Sequence, residues 1–133
     1  MRSSLVITVF QILTWCCVVL LAVLLLWPGR GRGFLFVMPE LNTMRTGLPG
    51  KLEHFITYAG SAAIAMLGYG ASQGSIQIIG AYWIYAGILE YLQRFSPGRH
   101  PSFLDFVGSA LGSLCGGLAV ALLWLWRPSG QLG

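Results

Sequence analysis

Long apolar stretches almost free of charge constrain this chain more than any other feature. Charged residues make up 9% of its 133 residues and hydrophobic ones 56%. A soluble domain this small lacks the polar surface to cover such an excess. A mean hydropathy of +0.72 fits a bilayer acting as solvent for the outer faces. The apolar runs read as four membrane-crossing helices, about Leu5 to Trp27, Leu52 to Ala71, Ile76 to Arg94 and Ser102 to Trp126. The first is roughly 35 Å long at about 1.5 Å per residue, enough to cross a hydrocarbon layer of about 30 Å with some tilt. The expected fold is all-α, an integral membrane bundle of four transmembrane helices in a single domain, 1–133.

Local signals set the boundaries. Pro28-Gly29 stops the first helix, whose start after Met1-Arg2-Ser3-Ser4 reads as retained rather than cleaved, with no A-x-A site. Arg30 to Gly50 is the longest connection. Its Phe34-Leu35-Phe36-Val37-Met38 run is too short to span and reads as an interfacial segment or a lid. Gly68, Gly70 and Gly74 are expected to form a tight turn, and Phe95 to Pro101 a turn-forming loop. Ala59/Ala63 and Ser61/Ala65 have the small-residue spacing of close helix contacts, and Gly108, Gly112 and Gly116 read as a packing stripe. Trp124 and Trp126 are placed as belt aromatics at the far interface. The three cysteines, Cys16, Cys17 and Cys115, lie in apolar runs without metal spacing and are expected to be free, buried and inert. The formal charge of +4 is dispersed among loops, which argues against nucleic acid as a partner.

Against this background Lys51, His54, Glu90 and Asp105 stand out, because ionisable groups in membrane-spanning sequence are costly and mark functional sites. Antiparallel connectivity brings them to one end. The second helix starts where the third ends and the fourth begins. Lys51, His54 and Tyr58 share one side of the second helix. Glu90 and Gln93 end the third, Ser102, Asp105 and Ser109 share a side of the fourth, and Arg99 lies in the loop between them. The bland readings are a snorkelling Lys51, an interfacial Tyr58, an N-capping Ser102, an orientation-setting Arg94 and a structural ion-pair network. The functional reading makes His54 an acid or base, Glu90 and Asp105 its orienting or proton-sharing partners, and Arg99 and Lys51 holders of phosphate. A metal on His54, Glu90 and Asp105 is the weaker alternative, so no metal or cofactor is expected.

The same residues carry a resemblance. Lys51-Leu52-Glu53-His54 followed by Tyr58 resembles the K-x-x-H-x-x-x-Y element of the VanZ-like family. Glu90-Tyr91-Leu92-Gln93, Pro97-Gly98-Arg99, Ser102, Asp105 and Gly112 resemble its second element. The likeness covers about Lys51 to Gly116. Gly50 stands where the family often has an acidic residue, and Ser109 where it often has Asn. The resemblance implies a small integral protein of the bacterial cytoplasmic (inner) membrane, from a family named for teicoplanin resistance and placed among proteins acting on lipid headgroups or lipid-linked cell-wall intermediates.

The expected function is recognition of a phosphate-bearing lipid or cell-envelope headgroup, with hydrolysis or exchange as its catalytic extension. His54, Glu90 and Asp105 are the candidate catalytic residues, and Lys51, Tyr58, Gln93, Arg99 and Ser102 the candidate substrate-binding ones. The rival is a non-catalytic envelope or resistance factor that binds membrane lipid or a glycopeptide. A small transporter ranks last, because the first helix holds no carboxylate.

Overall fold

The computed structural model describes residues 2–26, 48–96 and 101–126. Over these residues the chain is all-helical: α1 (Arg2–Leu26), α2 (Leu48–Gln73), α3 (Ser75–Leu92) continued by a 3₁₀ turn (Gln93–Phe95), and α4 (Phe103–Leu125). Two of them are long and apolar enough to cross a membrane, Ser4–Leu26 within α1 and Phe103–Leu125. Residues 30–47 of the Arg30-to-Gly50 connection, with its Phe34-to-Met38 run, lie outside the described residues, as does Arg99, while 48–50 belong to α2.

The helices run up, down, up, down. α2 is central and packs most extensively on α4, then on α1 and α3, while α1 and α3 touch only slightly. α2 and α4 are parallel and in step, and small residues are the reason. A Cβ added at Gly112 would stand 2.9 Å from Phe55 Cα, and one at Gly116 would stand 2.7 Å from Ala59 C. Only glycine permits that backbone approach, so the stripe is packing surface, as its spacing predicts. The core between the helices holds Tyr58, Ala62, Met66, Tyr82, Leu89 and Val120 among others. The outer faces stay apolar: Leu5 and Ile12 on α1, Ile84 on α3 and Leu122 on α4 are all exposed.

Several polar side chains inside the bundle find partners across helices. Tyr82 Oη lies 2.7 Å from Ser61 Oγ and donates to Ser61 O at 3.1 Å. Gln11 Nε2 donates to Gly68 O, Tyr85 Oη to Val18 O, and Ser96 Oγ to Leu26 O. The last bond satisfies one of the carbonyls left unpaired at the end of α1.

Three expectations need correction. Gly68 and Gly70 lie inside α2 rather than in a turn. Gly68 is used for packing, since a Cβ there would meet the α1 backbone at Gln11 N, 3.0 Å away. The break falls at Gly74 alone, whose φ of 82° is a conformation that glycine adopts without steric cost. The cysteines are free but not buried: Cys16 and Cys115 are exposed on outer faces. Trp124 does not simply lie at an outer interface. It is half-buried, packs against the core and occupies the space beside Gly70.

Candidate functional site

The predicted site residues gather at the end where α2 begins, α3 ends and α4 begins. His54 and Tyr58 lie one turn apart on α2 and are both buried, at 7% and 1% exposure. Their rings stack at 6.5 Å with an interplanar angle of 7°. Tyr58 in turn meets Tyr82 edge-on at 6.2 Å. This aromatic file runs from the polar end into the core and holds the imidazole in a fixed orientation.

His54 Nδ1 lies 3.1 Å from Ser109 Oγ. Ser109 is itself buried and donates to Asp105 O at 3.0 Å, one turn back on α4. One hydroxyl hydrogen serves one acceptor at a time. With Ser109 donating to Asp105 O, its oxygen accepts from Nδ1–H and favours the Nδ1-protonated tautomer. The close approach of α2 to α4 makes the contact possible: a Cβ at Gly108 would stand 3.1 Å from Lys51 O and 3.8 Å from His54 Cβ.

Glu90 is half-buried near the end of α3, and its Oε1 accepts from the backbone N–H of Ser102. Ser102 occupies the N-cap position of α4, yet its side chain makes no cap bond. The carboxylate supplied by a neighbouring helix satisfies the group there, and a negative charge at a helix N-terminus is favourable. Lys51 and Asp105 are half-buried on α2 and α4 at the same end.

Gln93 follows Glu90 by one turn and is 3% exposed. Among the described residues its Nε2 is buried with no hydrogen-bond partner. Leaving a buried amide donor unpaired costs about 1–3 kcal/mol. Beside these residues, α3 and α4 part to form an open groove of about 430 Å³, lined in part by Glu90, Arg94 and Ser102. Among the described residues, no three His, Cys, Asp or Glu side chains gather so as to hold a metal ion.

Lys51, His54, Tyr58, Glu90, Gln93, Ser102 and Asp105 therefore share one end, while Arg99 and its expected meeting with Glu90 lie outside the described residues. Sequence reasoning undervalued two residues. Ser109 is the direct partner of His54, and its signal was its spacing of four from Asp105. Arg94 lines the groove, and its signal was its spacing of four from Glu90. Comparison of the chain with known protein families, curated proteins and solved structures returns no match.

Proposed function

We propose that this chain is a four-span membrane bundle whose polar end recognises a phosphate-bearing lipid headgroup. The apolar outer faces and the span-length α1 and α4 support the membrane setting. In that setting α2 and α3 are the second and third spans. The polar end then lies at a membrane face, where headgroups are. The resemblance of the residues there to the VanZ-like motif supports a bacterial cytoplasmic-membrane protein acting on envelope lipid.

The Nε2 of Gln93, buried and unpaired among the described residues, carries this reading. A folded chain retains a costly orphan donor where an incoming acceptor satisfies it, and phosphate oxygens are strong acceptors. Lys51 and Arg99 supply positive charge for the headgroup, His54 acts as acid or base, and Glu90 and Asp105 steady the cluster. The burial of His54 favours a second reading, a binding protein without turnover.

Gln93→Met tests the proposal, because it keeps the side-chain length and removes the orphan donor. The variant should melt at the same or a higher temperature than wild type and bind lipid phosphate more weakly in bilayer nanodiscs. Unchanged binding refutes the assignment of Gln93 to the headgroup. His54→Gln divides the two functional readings. Phosphate release by wild type that His54→Gln abolishes, with binding retained, marks an enzyme. Binding without release in wild type marks a recognition protein.

A further inference from the structure

The α3–α4 groove has a polarity along its length. Arg94 and Pro101 stand at its outer end, beside the 3₁₀ turn and the start of α4. Gly87 and Phe106 stand at its inner end, roughly two turns down α3 and one turn down α4. Cation and apolar wall are thus separated by about 10 Å along α3 at 1.5 Å per residue. The groove owes its depth to one residue. Trp83, Gly87, Tyr91 and Arg94 follow one another along one stripe of α3, and Gly87 is the gap among large side chains. Across it stands Phe106, whose Cε2 would lie 3.7 Å from a Cβ added at Gly87. One turn further in, Trp83 Nε1 donates to Ala110 O at 3.1 Å and bridges the two helices below the gap.

Charge at the outer end, an aromatic and apolar wall within, and an open side make an amphipathic slot. Glu90 also lines it, but its carboxylate accepts from Ser102 N at the N-terminus of α4, which offsets its charge there. Among the described residues that line the groove Arg94 is the outward cation, its guanidinium 5.4 Å from the Tyr91 ring centroid. A guanidinium held over an aromatic face still presents its N–H fork to an anion.

We propose that this groove is a lateral lipid-binding slot in which Arg94 holds the phosphate of a membrane-embedded lipid and the Gly87–Phe106 wall takes the first segment of its acyl chain. The inference rests on the headgroup reading above and deepens it. The ligand is a chain-bearing lipid that arrives sideways through the bilayer, not a soluble phosphate, and Arg94 is a further binding residue.

Gly87→Leu fills the slot. Its Cβ sits at ordinary contact distance, and the rest of the side chain occupies the space of the acyl chain. Arg94→Gln removes the cation from an exposed position and leaves the helix packing intact apart from its contact with the Tyr91 ring. The probe is a dioleoyl phosphatidic acid in phosphatidylcholine nanodiscs, with soluble glycerol 3-phosphate as competitor. Wild type should bind the lipid, and the soluble phosphate should not displace it. Each variant should weaken binding about tenfold, the worth of one charge-assisted hydrogen bond or of a comparable loss of buried chain. Wild-type binding in both variants, with loss in Gln93→Met, overturns the slot and leaves the headgroup site standing. Displacement by glycerol 3-phosphate at matched concentration also overturns it. Absence of lipid-phosphate binding in wild type overturns both readings. If Gly87→Leu fails to accumulate in membranes, Arg94→Gln decides the matter alone.

Discussion

Substituting Gly112 by alanine puts the α2–α4 contact to a quantitative test. The added Cβ would stand 2.9 Å from both Phe55 Cα and C and closer still to Phe55 O, whereas ordinary contact begins at 3.4 Å. The atoms in the way are backbone and cannot rotate aside, so the helices must part by more than 0.5 Å at this level. Overpacking of this kind costs about 1–3 kcal/mol. Gly60 on α2 is the control: among the described residues nothing lies within 4 Å of an added Cβ, and the position is exposed. There the same substitution should stabilise by up to about 1 kcal/mol through helix propensity. The two variants should move in opposite directions and differ by about 1–4 kcal/mol, several degrees in Tm. Tm is read in detergent by tryptophan fluorescence. Parting the helices also draws Ser109, one turn from Gly112, away from His54, whose bond is already 3.1 Å. Headgroup binding should therefore fall in Gly112→Ala and persist in Gly60→Ala. Equal melting of the two would show that α2 and α4 do not meet along this stripe.

Further outcomes follow from the same contacts. Ser109→Ala removes the partner of His54 Nδ1 in a buried setting and should cost about 1–3 kcal/mol, seen as a lower Tm with a weakened site; an unchanged melting curve would mean that the imidazole does not depend on that hydroxyl. Single cysteines at Thr46 and Gln131, in a background where Cys16, Cys17 and Cys115 are alanine, should react with an impermeant reagent from opposite sides of the membrane. Labelling of both from one side would refute the four-span topology.

The polar end was legible in the sequence because few alternatives exist. Consecutive helices joined by short loops are antiparallel neighbours, so residues at the start of one helix and the end of the next meet regardless of detail. His54, Glu90, Ser102 and Asp105 needed only that rule to be placed together. Gly112 and Gly116 were legible for a similar reason, since a four-residue repeat of glycine marks one helical face. Gly68 and Gly70 misled because glycine permits a turn and a close approach equally well, and the residues around it do not say which.

Helix order, the all-helical content and the shared polar end were thus determined by apolar run length, connectivity and the scarcity of charge. The rotation of each helix about its axis was decided only in three dimensions. Rotation depends on which small residues seat against which backbone, a many-body packing outcome with little trace in local periodicity. That rotation aims His54 at Ser109, turns Glu90 toward the N-terminus of α4, leaves Gln93 Nε2 without a partner among the described residues and sets Gly87 opposite Phe106. The composition of the site was written along the chain, whereas its hydrogen bonds, its orphan donor and its groove exist because three helices pack at particular angles.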